Sequence, residues 1–391
     1  MAESVQVTIA EAMTRILSRR GKSPVLGEEG VRLISAINIK GGRIDQDHLR
    51  FVPFELYDDW MPEKLRIGDV LLTSEAPLGE VAYIGDDKPL CIGQRLFALR
   101  GCPELVHGRF LYYLIGFGDP HREMLERATG STVGGIRLSE LLKVTLELPS
   151  LSEQRAISDV LGALDDKIDS NQRKIAKAGE LMHLEFLAST VSGSRKGSLG
   201  EVLTELRSKV GGDSASVVVL SALAEGQLVV SDDHFKKKVY SAEIGKYLKV
   251  PQWAFAYNPS RINIGSIGLN SSTTVGAVSP VYVVAQAQTS AVARWVEQAL
   301  RTGNVKDQIV AYSSGSVRQV LRYADFASIQ LDIPSDEALS GFEDRTLILY
   351  ELVDAATRET NSLLILRDTL LPELLSGRLR VKDAESMMEN V

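Results

Sequence analysis

The chain is poor in the residues that build metal centres, disulfide frameworks and membrane spans. Its 391 residues include two cysteines, Cys91 and Cys102, too few for a disulfide framework or a zinc site, and both read as small core residues. The five histidines, His48, His107, His121, His183 and His234, show no metal-ligand spacing, so no metal is expected. No apolar run approaches the ~20 residues of a membrane helix, so no membrane partner is expected. Met1-Ala2-Glu3-Ser4 shows no basic region leading into an apolar one, so neither is a signal peptide, and the expected compartment is cytoplasmic. A phosphate loop with its Lys-Ser/Thr is missing as well. What remains, 44% hydrophobic and 24% charged residues, is the composition of a soluble globular protein with room for two cored domains.

The net charge of −7 is unevenly spread: −3 over residues 1–150, −1 over 153–195, +3 over 196–335 and −6 over 336–391. The acidity sits mainly in the last segment and the second globular region is basic. A polyanion responds to a local patch rather than to the total, so DNA is not excluded, although a basic partner would have to share the phosphate grip.

The chain repeats itself at an offset of 185 residues. Gly130-Ser131-Thr132-Val133 returns as Gly315-Ser316-Val317-Arg318, and Leu146-Glu147-Leu148-Pro149-Ser150 as Leu331-Asp332-Ile333-Pro334-Ser335. Gln94-Arg95-Leu96-Phe97-Ala98-Leu99 matches Ser279-Pro280-Val281-Tyr282-Val283-Val284 in pattern. That period is too long for a solenoid and indicates a duplicated domain. The first copy is expected to open with a helix over Ile9 to Arg20, followed by strands at 31–37, 69–73, 81–84, 96–100 and 144–148, with a helix over 107–128. The second is expected to have strands at 217–220, 253–257, 278–285 and 329–333, and a helix over 290–310. Both read as mixed α/β domains.

Between and after the copies lie heptad segments. Ile157, Leu161, Leu164, Ile168, Ile175, Ala178 and Met182 follow a 4-3-4 alternation with Asn171 in the gap. Leu349, Val353, Ala356, Leu363, Leu370 and Leu374 repeat the spacing, with Thr360 and Arg367 breaking the stripe. Helices of this length span about 50–55 Å and need a partner for their apolar faces, either each other or their own domains. A single Asn on the seam suits a registered coiled coil. The expected architecture is α/β (mixed): one domain over 1–151, a helix over 152–192, a second domain over 193–335, a helix over 336–380 and a flexible tail over 381–391, the helices pairing as an antiparallel coiled coil.

Motifs with catalytic overtones are fragments. Tyr257-Asn258-Pro259-Ser260 lacks the second proline and the aromatic of an amino-methyltransferase motif, Ile264-Gly265-Ser266-Ile267-Gly268 runs into a loop rather than a helix, and Asp165-Asp166-Lys167 lies on the heptad helix. The polar loops carry more. Ser131, Thr132 and Arg137 in one copy, and Ser313, Ser314, Ser316 and Arg318 in the other, combine short hydroxyls with an arginine, a set that bonds phosphate oxygens or guanine and equally makes an ordinary capped turn. Arg95, Lys236, Lys237 and Arg261 complete the DNA-binding candidates.

Leu148-Pro149-Ser150-Leu151-Ser152-Glu153-Gln154-Arg155-Ala156-Ile157, with Leu164-Asp165-Asp166-Lys167-Ile168, resembles the central conserved region of type I restriction–modification specificity subunits. Gly68-Asp69-Val70-Leu71, the run from Tyr257 to Ser266, and Val278-Ser279-Pro280-Val281-Tyr282 resemble their target-recognition domains. The resemblance covers nearly the whole chain. It implies a non-catalytic subunit whose two target-recognition domains each read half of a bipartite, asymmetric double-stranded DNA target. The paired helices would set the spacer and dock two methyltransferase subunits through the segments bearing Ile157, Leu161, Leu164, Ile168, Asn171, Ile175, Leu349, Val353, Leu363 and Leu370. It implies no cofactor in this chain, S-adenosylmethionine in the methyltransferase subunits, and motor-nuclease (R) subunits as further partners. The second copy departs from the pattern: Pro334-Ser335 leads into Asp336-Glu337-Ala338-Leu339 without the Glu-Gln pair, with about four extra residues expected before its helix. The competing readings are a self-contained DNA methyltransferase or nuclease, which would need a complete cofactor loop, and an assembly scaffold that does not read DNA.

Overall fold

The computed structural model describes residues 4–45, 49–129, 134–191, 193–212, 216–234, 243–313 and 320–388. The chain divides into two compact units, Met1–Gln172 with Thr357–Val391, and Arg173–Ala356. Each holds one copy of the repeat together with halves of the two long helices.

The first unit is layered around a four-stranded antiparallel sheet in the order Met13–Ser18, Leu96–Gly101, Val70–Thr73, Val81–Tyr83. Alternation along these strands sends Val70, Leu72, Phe97 and Leu99 to a core shared with helices, and Leu71, Leu96 and Ala98 to a second core. That second core is closed by a smaller sheet, Arg50–Val52, Val31–Ile34 and Leu90–Ile92, in which the last two strands run parallel. A ribbon of Val5–Thr8 with Thr145–Leu148 joins the start of the unit to the strand that feeds the first long helix.

The second unit repeats this plan. Leu203–Leu206, Val283–Ala287, Ala254–Tyr257 and Ile267–Asn270 form its antiparallel sheet in the same order. Val218–Ala222 pairs parallel with Gly276–Val278 in its smaller sheet, and Arg195–Ser198 with Gln330–Ile333 makes its ribbon. The repeat extends to local chemistry. Thr8 and Glu11 form a capping box on the helical turn Ile9–Ala12, and Ser198 and Glu201 do the same for Leu199–Val202. The offset is 185 at the last strands and at the helix starts, but the Leu96 strand aligns with its counterpart at 186. Leu99 opposes Val70 where Ala285 opposes Phe255, and the turns before those partner strands, Asp69 N–H to Arg66 and Ala254 N–H to Pro251, stand 185 apart.

Several expectations are corrected. The helix expected over Ile9 to Arg20 is one turn followed by the strand Met13–Ser18, because pairing with Leu96–Gly101 outweighs a local pattern that fits a helix. The helix over 107–128 breaks at Gly118 into Gly108–Phe117 and Asp119–Glu126; any Cβ at Gly118 would meet the Leu114 carbonyl oxygen at 2.7 Å. The helix over 290–310 is likewise two, Ser290–Ala299 and Gly303–Tyr312, and the strand over 278–285 is split between Gly276–Val278 and Val283–Ala287. The expected flexible tail contains the helix Val381–Met388, held by buried Ala384 with Val381 and Met388 packed on the core, a 3-4 spacing that lays one apolar edge on the domain. No extra residues precede the second long helix. It starts at Asp336, directly after Ser335, as the first starts at Leu151 after Ser150.

The long helices run Leu151–Val191 and Asp336–Leu375. In the first unit they lie antiparallel, with Asp165 bonded to Arg367 at 3.1 Å and Asn171 Nδ2 to Glu359 at 2.7 Å. In the second unit Glu185 pairs with Arg345, in the same sense. Thr360 and Arg367, which interrupt the apolar stripe, stay on the seam: Thr360 is buried and Arg367 is neutralised by Asp165.

Candidate nucleic-acid interface and helix surfaces

The loop candidates fall into three groups. Ser131, Thr132, Lys236, Lys237, Ser314, Ser316 and Arg318 lie outside the described residues. Arg137 is exposed at the N-cap of the short helix Leu138–Leu141, and Arg261 is exposed at the head of the turn Ile262–Ile264. Ser313 is corrected: it is buried, and its hydroxyl donates to the Ile309 carbonyl at the end of its own helix, so it faces no ligand. The catalytic-looking fragments are spent on structure. Tyr257 is fully buried in its strand, and Gly265 takes a left-handed turn (φ +95) where a Cβ would strike the Ala224 carbonyl oxygen at 2.1 Å. Asp166 holds Arg109, and Lys167 holds Glu359. Cys91 is buried, which pushes its thiol up to about 11.

Arg95 stands apart from the other candidates. It lines an open cleft of about 330 Å³ with Ser35, Ile37, Arg50, Ala76 and Gln94. Its backbone is left-handed (φ +64), as is that of Ala76 (φ +56), so two of the three non-glycine residues with positive φ among the described residues border this one cleft. Glu75 grips the Nε edge of Arg95 at 3.1 Å, and the side chain stays 55% exposed. Gln94 Nε2 donates to the Lys22 carbonyl and to Ser23 Oγ, both at 3.0 Å. A carbonyl can only accept, so the amide orientation is fixed and Oε1 remains as an acceptor. The residue type made Arg95 a candidate; Ser35, Ile37 and Arg50 reach the cleft from the strand and turns between 33 and 50, with no spacing to betray them.

Each unit is fastened to a long helix by side chains from one equivalent helix. In the first, Arg109 bonds Asp166 at 2.7 Å and the Gly162 carbonyl at 3.1 Å, and Tyr113 donates to Asp165 at 2.6 Å. Burial and the Asp165 charge push the Tyr113 phenol far above its usual range. In the second, 185 residues on, Arg294 stacks over Trp253 and Tyr350 (5.0 and 4.8 Å to the ring centroids), and Gln298 donates to Tyr350 at 3.3 Å. Tyr350 donates in turn to Glu297 at 3.1 Å. Gln154 pins the start of the first helix: it accepts from the His107 N–H at 2.9 Å and donates to the Leu105 and Pro149 carbonyls. It is fully buried, so this motif residue builds the fold rather than a surface, and its counterpart Leu339 packs in the second core.

The seam residues named for docking are themselves interior. Ile157, Leu161, Leu164, Ile168, Asn171, Leu363 and Leu370 are buried, and Ile175, Leu349 and Val353 are half-buried, which leaves the opposite flanks of the helices as their exposed surface. In the second unit, at 100° per residue, Leu181, Leu184, Ile348 and Leu352 share the flank marked by the Glu185–Arg345 pair, away from Arg294 and Tyr350; each is 39–65% exposed. In the first unit the equivalent positions are Ala163, Lys167, Leu366 and Thr369.

Comparison with known proteins places these features. The family described as Type I restriction modification DNA specificity domain matches residues 63–179. The MjaVIII specificity subunit of Methanocaldococcus jannaschii is 26% identical over 38% of this chain and 36% of its own length. The MjaIX specificity subunit of the same organism is 24% identical over 81% of this chain and 78% of its own. The chain thus spans about a third of one relative and over three quarters of the other. The crystal structure of a type I restriction-modification S subunit from M. genitalium shares the fold, with a TM-score of 0.61, 16% identity, and 95% of this chain and 96% of that one covered.

Proposed function

We propose that this chain is a type I restriction–modification specificity subunit and that it reads one DNA target in two halves, one per unit. The observation that carries the reading is the duplicated fold itself: two units with the same sheet order but opposite net charge, −3 over residues 1–150 and +3 over 196–335. Non-identical readers imply an asymmetric target. Exposed Arg95, Arg137 and Arg261, together with the basic and hydroxyl residues among 130–133, 236–237 and 314–318, supply the phosphate and base contacts.

The chain transfers and cleaves nothing itself. Two methyltransferase subunits dock on the outer flanks of the long helices and bring S-adenosylmethionine to an adenine in each half-site; R subunits join them for cleavage. The helix pair sets the unread spacer. Cytoplasmic location follows from the substrate.

The test is adenine-methylation mapping in cells that co-express this chain with its methyltransferase subunit. A single split, asymmetric motif that vanishes with the chain is the expected result. Retained assembly with no motif would make the chain a scaffold, and S-adenosylmethionine binding by the isolated chain would make it an enzyme. Replacing Arg137 and Arg318 together by alanine should weaken DNA binding and leave assembly intact.

A further inference from the structure

The cleft around Arg95 has the chemistry of a base-edge reader. Gln94 presents an acceptor whose orientation is fixed by its two donated bonds, and Arg95 beside it presents a guanidinium held at one edge by Glu75. An acceptor next to a fixed arginine fits the major-groove edge of a G·C pair: the arginine donates to guanine O6 and N7, and the glutamine oxygen accepts from the cytosine amino group or from that of a neighbouring adenine. A left-handed arginine backbone is costly for a residue needed only on a surface, and such outliers gather where a side chain must be aimed. Exposed Ile37, in the same cleft, adds apolar surface for a base or sugar.

The second unit carries different chemistry at the same place. With the strands aligned at 186 residues, Arg95 corresponds to Val281, which is 65% exposed at the tip of the turn closed by the Tyr282 N–H to Ser279. An exposed valine offers nothing to guanine and suits the thymine methyl group.

We propose that Arg95, with Gln94, specifies a G·C pair in the half-site read by the first unit, and that Val281 specifies a thymine at the equivalent position of the other half. This rests on the reading of the chain as a DNA-specificity subunit. The test uses the full chain in complex with its methyltransferase subunit. Arg95→Gly removes the side chain and suits the left-handed backbone, so the fold is kept; Gln94→Ala and Val281→Ala are the companion variants, and complex assembly is followed by gel filtration.

Arg95→Gly should relax one base requirement in one half-site by about 5- to 150-fold while the other half and the spacer stay fixed. Val281→Ala should relax a thymine in the opposite half, and Gln94→Ala a base in the same half as Arg95→Gly. An unchanged motif with Arg95→Gly, or a uniform loss of methylation with no change of motif, overturns the assignment while leaving the specificity-subunit reading intact. The absence of any split motif with the unaltered chain overturns both.

Discussion

The two units solve one problem, fastening a domain to a helix, with different chemistry. The first uses charge: Arg109 against Asp166, and Tyr113 and Arg367 both on Asp165. The second adds rings at the same sites, with Arg294 over both Trp253 and Tyr350 and only a longer ion pair, 3.6 Å, to Glu343. Tyr113 with Asp165 and Gln298 with Tyr350 stand at positions 185 apart, so duplication preserved the place of each contact while its chemistry drifted. Geometry is the inherited quantity here and residue identity is not.

Breaking the charged version should cost most. Asp165→Ala leaves the Tyr113 hydroxyl without its acceptor and Arg367 with the exposed Asp368 alone, and should destabilise the chain by about 3 kcal/mol in urea titrations. Tyr350→Phe in the second unit, losing one hydroxyl but keeping its ring over Arg294, should cost about 1 kcal/mol. Writing one copy into the other sharpens the contrast. Gln154→Leu, which installs the residue of the second copy, strands the His107 N–H and two carbonyls and should cost about 2 kcal/mol.

The turns before the equivalent strands differ as well. Gly68 (φ +95) is matched by Trp253 (φ +64), whose backbone strain accompanies its stacking on Arg294. Gly68→Ala meets no atom within 4 Å, so only the backbone term remains, about 1 kcal/mol of lost stability in the same titrations.

The smallest effect is one of pH. Burial raises the Glu297 carboxyl above its usual range, against the opposing pull of Arg301, Tyr350 and Arg294. The folded chain therefore holds that proton more tightly than the unfolded chain. The stability this contributes is full below the unfolded carboxyl pKa of about 4.3 and is lost as pH rises through the folded value. Glu297→Gln should flatten this segment of the stability profile, measured as the difference in urea midpoint between the two proteins from pH 4 to 8.

What the sequence disclosed was periodic. The heptads of both long helices and the duplication are written in spacing, and each aligned strand occupies a corresponding place in the sheets. What it concealed was decided by distant partners. Ile9, Met13 and Ile16 fit one helical face, yet Met13–Ser18 is a strand because its hydrogen bonds go to residues some 80 positions away. Gln154 reads only as one residue of a motif, and its three buried bonds reveal it as a fastener. The Arg95 cleft was half legible: its arginine was a candidate by type, but Arg50 and Ile37 join it through the fold alone.

The flank carrying Leu181, Leu184, Ile348 and Leu352 has a consequence for the free chain. Aliphatic side chains gathered on one bare surface hold water at a cost whenever no partner covers them, and any other greasy surface will serve as a cover. A chain whose flank stays bare would therefore tend to self-associate as its concentration rises. The solubility of the free chain is thereby set by four side chains, and a charge written among them would raise it.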